Sequence, residues 1–178
     1  MEWVMESDRL NYRKIKNDFV NLKPILQNIE IMYAWGHAFT DSEIHKWIDE
    51  NLVRYENEGF SYFAVIEKIT NQFVGVAGPL IECINDIKYI GIAYIIDKNH
   101  WGKGYGLESA KVSMDYAFSN LNAKEVIAQI RSNNLFSRKI AEKLNMKIRF
   151  EYVKHYNNED MTHLIYCITK YEYNLLCK

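Results

Sequence analysis

Three consecutive strand-like segments, joined by very short polar connections, constrain the fold of this 178-residue chain more than any other feature. They are residues 62–68, 73–82 and 87–97, which are rich in β-branched and aromatic side chains. Residues 69–72 form the first connection, and Asn85 and Asp86 mark the second. A parallel crossover needs about a dozen residues or more, so these strands are expected to pair antiparallel.

Segments with helical periodicity lie on both sides of this meander. A strand over 9–14 and a helix over 18–32 come first. Thr40 and Glu43 then have the spacing of a capping box, and Gly59 closes the helix that follows. After the meander we predict a helix carrying apolar residues from 107 to 121, a strand at 125–131, a helix after Asn133, and strands at 146–155 and 162–171. The order β-α-α-β-β-β-α-β-α-β-β predicts an α/β (α+β) fold with a mixed sheet.

Composition favours a single domain over residues 1–178 that needs no disulfide or metal. The 22 basic and 23 acidic side chains leave a net charge of −1, and no basic run suits nucleic acid. No apolar run approaches the roughly 20 residues that span a bilayer. The N-terminus does not resemble a signal peptide, and Cys83, Cys167 and Cys177 are widely spaced. We therefore expect a cytoplasmic protein with reduced thiols, no membrane partner and no nucleic-acid partner.

Three of the eight glycines fall between a predicted strand and a long helix, in the segment Trp101-Gly102-Lys103-Gly104-Tyr105-Gly106-Leu107. Glycines let the backbone turn sharply and approach a ligand, and the first amides of a helix have no internal acceptor. Together they form a cradle for a phosphate or pyrophosphate, although glycines also serve simply to shape a connection. Neither the P-loop pattern nor the G-x-G-x-x-G dinucleotide fingerprint fits the segment.

This segment resembles motif A of the GCN5-related N-acetyltransferases (GNAT), and more closely the W-G-K-G-Y-x-x-E-A signature of the ribosomal-protein N-terminal acetyltransferase branch. Residues 133–146 resemble the D-N-x-x-S-x-x-x-x-E-K-L-G-M pattern of that family, and Asp8-Arg9-Leu10 matches its opening. The likeness covers about residues 8–170. It implies a seven-stranded mixed sheet with about four helices, in which the parallel strands 87–97 and 125–131 splay apart around acetyl-CoA. No metal is implied.

The resemblance also assigns residues to the co-substrate. The backbone of Ile95, Ile96 and Asp97 would pair with the pantetheine amides. The amides from Gly102 to Leu107 would hold the pyrophosphate, with Trp101 at the position where the wider family usually has Arg or Gln. Asn134 and Ser137 would approach the pantetheine and the adenosine side of CoA. For Lys103, a direct phosphate contact and a solvated loop charge both remain open.

Acetylation of an amine also needs a proton acceptor and benefits from an acid for the leaving thiolate. The positions where the family often has a Tyr and a Glu are Ala141 and Gly91 in this chain. The remaining candidates are Glu82, a base or a solvated strand-end charge, and Tyr94, a hydrogen-bond donor or a core residue. His100 is expected to cap or pack beside the loop. Catalysis by positioning and water alone is a further alternative.

The first two helices and the last hairpin would provide the acceptor side. Trp35 and Trp47, with His37 and Phe39, are core residues in one interpretation and the wall of an acceptor site in the other. Four acids could attract a cationic amine or could simply be helix-surface charges: Glu30, Asp41, Glu43 and Glu56.

Together these features predict an acetyl-CoA-dependent N-acetyltransferase acting on a primary amine. The acceptor would be a protein N-terminus, a polyamine, an amino sugar or an aminoglycoside-like molecule. The alternative is a CoA-binding module with little or no catalysis. Exposed aromatic residues favour a homodimer, although the oligomeric state stays open.

Overall fold

The computed structural model describes residues 2–156 and 158–176. Across these residues the chain forms eight β-strands, six α-helices and two short 3-10 helices. The strands are β1 (Met5–Glu6), β2 (Leu10–Lys14), β3 (Phe63–Glu67), β4 (Phe73–Ile84), β5 (Ile87–Ile96), β6 (Glu125–Arg131), β7 (Lys147–Tyr156) and β8 (Glu159–Thr169). The α-helices are α1 (Phe19–Leu26), α2 (Ile29–Met32), α3 (Asp41–Asn57), α4 (Tyr105–Ser119), α5 (Leu135–Lys143) and α6 (Lys170–Leu176). The 3-10 helices are Tyr33–Trp35 and Lys98–His100.

The strands are hydrogen-bonded in the order β1-β2-β3-β4-β5-β6-β8-β7. The β5–β6 pair is parallel, while β1–β2, β2–β3, β3–β4, β6–β8 and β7–β8 are antiparallel, so the sheet is mixed. This confirms the predicted fold class. The chain divides into two compact units, Met1–Leu80 with Ala93–Ser113 and Ile81–Ile92 with Met114–Lys178.

The first unit is built on the antiparallel strands β1, β2 and β3 and the first part of β4. Strand β2 pairs with β3 from Leu10↔Glu67 to Lys14↔Phe63, and its alternate residues Leu10 and Tyr12 are fully buried. Helix α3 begins with the predicted capping box, in which the Thr40 hydroxyl accepts from the Glu43 amide and the Glu43 carboxylate accepts from the Thr40 amide. Four buried residues on one face of α3 pack into this unit: Ile44, Ile48, Asn51 and Tyr55.

The second unit is centred on β6, which pairs antiparallel with β8 from Glu125↔Thr169 to Arg131↔His163. Strands β7 and β8 form the closing hairpin. On its other edge β6 pairs in parallel with β5 at Gly91↔Ile127. The buried residues Ile84, Ile127, Ile165 and Cys167 form its apolar cluster.

Several predicted elements differ from the structure. There are eight strands rather than seven and six α-helices rather than about four, because the two-residue β1 and the helices α2 and α6 were not anticipated. The predicted helix over 18–32 ends at Leu26 because Asn28 adopts an extended conformation and caps a new helix by accepting from the Glu30 amide. The strand predicted over 162–171 ends at Thr169 for a similar reason. The Thr169 hydroxyl caps α6 by accepting from the Glu172 amide, and the Glu172 carboxylate accepts from the Thr169 amide. Cys177 lies outside the described residues, as does Asn157, which falls between the strands predicted at 146–155 and 162–171.

Candidate functional site

The glycine-rich segment forms an irregular loop between β5 and α4. Gly102 and Gly104 have positive φ angles of 77° and 82°, a left-handed conformation that costs residues with a Cβ about 1–2 kcal/mol. The glycines are therefore needed for the backbone shape. Helix α4 begins at Tyr105, two residues before its predicted apolar periodicity begins. A Cβ added at Gly102 would meet nothing within 4 Å, so the space beside the loop is open on that side.

The six backbone amides from Gly102 to Leu107 have no acceptor among the residues that the structure describes. The hydrogen bonds on either side of this run are Trp101 N to the Lys98 carbonyl, at 3.1 Å, and Glu108 N to the Gly104 carbonyl, also at 3.1 Å. Unpaired amides at a helix N-terminus carry the positive end of the helix dipole. The loop can therefore offer several unpaired donors to an anion.

The end of β5 is fixed to β4 on one edge. The Asp97 amide donates to the Val74 carbonyl at 2.9 Å. Backbone groups of neighbouring residues in a strand face opposite edges, so those of Ile96 face away from β4. The Trp101 indole Nε1 donates to the Ile96 carbonyl at 2.8 Å. Thus Trp101 lies at the start of the loop and touches the free edge of β5.

The loop is also braced from β3 and from the segment between β1 and β2. The Tyr105 hydroxyl donates to the Glu67 carboxylate on β3, and the Arg9 guanidinium lies over the Tyr105 ring at 4.7 Å. Burial raises the pKa of Glu108, but hydrogen bonds from the Arg9 amide, the Ser7 hydroxyl and the Arg9 guanidinium outweigh it and hold the pKa below its usual range. Glu108 is therefore a carboxylate at neutral pH. Ser7, Arg9 and Glu67 were not among the predicted site residues.

His100, just before the loop, and Lys103, within it, both lie near the Tyr105 ring. His100 is buried, with its ring stacked on that of Tyr105 at 6.2 Å and its Nδ1 atom 3.6 Å from the Asp97 carboxylate. The expectation that His100 packs beside the loop is therefore confirmed. The ammonium of Lys103 lies 5.8 Å from the Tyr105 ring centroid.

In the second unit, Glu82 lies against Gly91. A Cβ built on Gly91 would be 2.7 Å from Glu82 Cγ and 3.6 Å from Ile127 Cγ1. The side chain from β4 therefore fills the space that a side chain at position 91 would need. This space lies next to the Gly91↔Ile127 pair, at which β5 and β6 are paired in parallel. Glu82 as a whole residue is half-buried, and its two interpretations, a base or a solvated strand-end charge, stay predictions.

The structure also places the predicted residues of α5. The Asn134 Oδ1 atom accepts from the Ser137 amide at 3.1 Å and caps the helix. The Nδ2 group of Asn134 can still donate to a ligand, and Oδ1 keeps one further lone pair. Ala141 is buried in α5 with 2% of its surface exposed.

Most of the residues predicted for the acceptor side already have structural roles. Trp47 packs its ring 5.2 Å from that of Tyr62, and Trp35 ends the first 3-10 helix. Tyr94 on β5 is half-buried. Three of the four predicted acids are engaged: Glu30 with Lys98, Asp41 with Lys23 and Gln27, and Glu43 with Thr40 and His37. These pairings reduce their availability to a cationic amine.

Residues 2–156 and 158–176 contain no helix that is long and apolar enough to cross a membrane. They also contain no group of three or more His, Cys, Asp or Glu side chains that could hold a metal ion.

Known proteins similar to this chain point to one family. The family model described as an acetyltransferase (GNAT) domain matches residues 9–147. The uncharacterized protein YkkB of Bacillus subtilis is 27% identical over 142 residues, which are 79% of this chain and 83% of YkkB. The solved structure of a GNAT-family acetyltransferase from Bacillus anthracis has a TM-score of 0.81 at 21% identity, with 94% and 99% of the two chains covered.

Two further similar structures are those of enzymes named for their substrates. Spermidine N-acetyltransferase from Vibrio cholerae, in complex with CoA and spermine, has a TM-score of 0.76 at 17% identity, and 94% and 99% of the chains are covered. RimL, a ribosomal L7/L12 α-N-protein acetyltransferase in complex with CoA, has a TM-score of 0.74 at 18% identity, with 94% and 98% covered. Because the family model matches well over half of the chain, this protein belongs to the GNAT family of N-acetyltransferases.

Proposed function

We propose that this chain transfers the acetyl group of acetyl-CoA to a primary amine. The observation that carries this proposal is the run of six unpaired backbone amides from Gly102 to Leu107 at the start of α4. A pyrophosphate has the negative charge and the several acceptor oxygens that such a run can bind. Trp101 and Lys103 would flank it, and Lys103 adds a positive charge on the loop.

The pantetheine arm would add to the free edge of β5. Ile95 and Ile96 end the strand and Asp97 follows it, and the backbone of Ile96 faces away from β4. An extended chain with its own amides can pair with such an edge in the manner of an added strand. Asn134, through its Nδ2 donors, and Ser137 are the proposed contacts to the pantetheine and the adenosine side of CoA.

Acetyl-CoA would supply the acyl group as a thioester. The neutral amine nitrogen forms a bond to the carbonyl carbon, the carbon–sulfur bond breaks, and the sulfur leaves with the electron pair. Glu82 is the proposed acceptor of the amine proton, because its side chain lies against Gly91, the residue at which β5 pairs with β6, and ends in a carboxylate that can take up a proton. Tyr94 is the proposed hydrogen-bond donor to the leaving sulfur.

The acceptor is proposed from chemistry shared with known relatives. Among the similar structures, one enzyme is named for spermidine and another for the N-terminus of a ribosomal protein. Both acceptors are primary amines, so we propose this class for the chain, with Trp35 and Trp47 on the acceptor side. We also propose that the protein is located in the cytoplasm and assembles into a homodimer.

Calorimetric titration with CoA tests the co-substrate. Gly102→Ala should weaken CoA binding about tenfold or more, because a hydrogen bond to a charged group is worth about 1.5–3 kcal/mol. Gly59→Ala is a matched control, since Gly59 also has a positive φ (84°) and nothing within 4 Å of its Cβ position. Wild-type protein that releases no heat at high micromolar CoA would refute the proposal. Equal losses of affinity in the two variants would refute the role of the loop.

A CoA-binding module without catalysis remains the second candidate. It is favoured by Ala141 and Gly91, which carry no ionisable group at positions where relatives of this family often have one. Thiol release in the presence of acetyl-CoA distinguishes the two, with spermidine, a peptide with a free N-terminus, glucosamine and an aminoglycoside as acceptors. Turnover on any amine, lost in Glu82→Gln, supports the enzyme. Tight CoA binding without turnover on the whole panel supports the module.

A further inference from the structure

Arg9, just before β2, makes four polar contacts with the loop and the first turn of α4. Its Nη1 atom donates to the Lys103 carbonyl at 2.9 Å. Its Nη2 atom is 2.6 Å from Glu108 Oε2, and its Nε atom donates to the same oxygen at 2.8 Å. Its backbone amide donates to Glu108 Oε1 at 2.9 Å. One residue thus joins the loop to the helix.

Glu108 is itself held in place. The Ser7 hydroxyl donates to its Oε1 atom at 2.7 Å, and only 15% of the Glu108 side chain is exposed. Arg9 is further confined because its guanidinium lies over the Tyr105 ring, and the Tyr105 hydroxyl is anchored on Glu67. The guanidinium therefore has a defined orientation when it meets the Lys103 carbonyl.

The Lys103 carbonyl belongs to the same peptide group as the Gly104 N–H. In a trans peptide these two groups point in opposite directions. A donor that fixes the carbonyl toward Arg9 therefore fixes the N–H on the opposite side. The Gly104 N–H is one of the six amides without a protein acceptor. Rotation of this peptide changes ψ of Lys103 and φ of Gly104. Because Gly104 has no Cβ, many values of its φ are open to it, so without the contact to Arg9 the peptide could rotate at low steric cost.

We propose that Arg9 is a positioning residue that orients the Lys103–Gly104 peptide so that its N–H faces the bound phosphate. This inference rests on the proposed binding of CoA by the loop. Arg9 would act before the ligand arrives, since a donor already aimed at its acceptor loses less conformational freedom on binding. Lys at this position would keep the charge but not the planar fork that reaches the Lys103 carbonyl and Glu108 together.

The test compares Arg9→Met with Arg13→Met. Arg13 lies on β2, is more buried than Arg9, and forms a similar fork with Asp18, at 2.8 and 2.7 Å. It has no contact with the loop among the residues that the structure describes. Arg9→Met should raise the KM for acetyl-CoA and the Kd for CoA about tenfold while kcat changes less than twofold. Arg13→Met should leave the Kd for CoA unchanged under conditions in which it is folded.

Arg9→Lys keeps the experiment decisive if Arg9→Met does not fold, and it should bind CoA more weakly than wild type. Circular dichroism establishes that each variant is folded. If wild type binds CoA and a folded Arg9 variant binds it equally well, the inference is wrong while the proposed function stands. A fall in kcat with unchanged KM would also overturn it. If wild type does not bind CoA, both the inference and the proposed function fail.

Discussion

Replacing Gly91 with alanine should destabilise the protein through one identifiable contact. The backbone at Gly91 has no positive φ, so alanine is compatible with its conformation. The new Cβ would lie 2.7 Å from Glu82 Cγ, at least about 0.8 Å closer than the distance at which carbon atoms attract. Overpacking of this kind costs about 1–3 kcal/mol of unfolding free energy. Because the clashing atom belongs to a side chain, Glu82 should move to relieve it.

A double-mutant cycle isolates that contact. In an E82A background the Cγ atom is absent, and the nearest atoms to the new Cβ are in Ile127, 3.6 Å away. There G91A should cost less than about 0.5 kcal/mol, because alanine is favoured over glycine inside a strand. Urea unfolding of the four proteins should give a coupling energy of about 1–3 kcal/mol. If G91A costs the same in both backgrounds, Glu82 does not occupy the space above Gly91.

The same variant reports on catalysis. If the Glu82 carboxylate accepts the amine proton, displacing it with G91A should lower kcat and leave the Kd for CoA unchanged. E82Q, which retains the shape of the side chain, should also lower kcat. Unchanged kcat in both variants would remove Glu82 from the mechanism.

Two further outcomes follow from buried groups. Burial raises the pKa of Asp18, but the hydrogen bonds from Arg13, the Lys16 amide and Asn21, together with the charge of Arg13, outweigh this effect and hold the pKa below its usual range. The stabilisation is therefore present above the unfolded pKa of about 3.9 and is lost as pH falls through the folded value. Asp18→Asn should cost about 3 kcal/mol in urea unfolding at pH 7 and progressively less below pH 4, and a cost independent of pH would contradict this. Burial also raises the pKa of the Cys167 thiol to about 12. In a C83S/C177S variant at pH 8, a thiol reagent should modify Cys167 only after denaturation, and rapid labelling of the native protein would refute its burial.

Local signals in the sequence were informative where neighbouring residues decide the structure. The capping box at Thr40 and Glu43 was recognised and is present. The same pattern at Thr169 and Glu172 was overlooked because the apolar run before it suggested a continuing strand. At Asn28 the apolar spacing was misleading in another way. It stays helical from α1 into α2 and therefore does not reveal that the first helix ends and that Asn28 caps a second one.

Contacts between distant residues could not be predicted in this way. Arg9 and Glu108 are 99 positions apart, and nothing in one sequence pairs them. Glu82 and Gly91 come into contact because β4 and β5 are neighbours in the sheet, which a pattern of residue types does not show. The position of the loop was recognisable from its glycines and its family resemblance. Its unpaired amides were visible only once the backbone was known.

The hydrogen bond from the Trp101 indole to the Ile96 carbonyl means that a side chain of this protein competes with any ligand amide for that oxygen at the edge of β5. A carbonyl oxygen has two lone pairs, and the indole already uses one of them. A ligand amide must either use the second lone pair of this oxygen or displace the Trp101 indole from it. Displacement exchanges one hydrogen bond for another, so the net gain in binding free energy is small. Any preference for one ligand over another at this oxygen would then come from the new contacts of the displaced Trp101 ring.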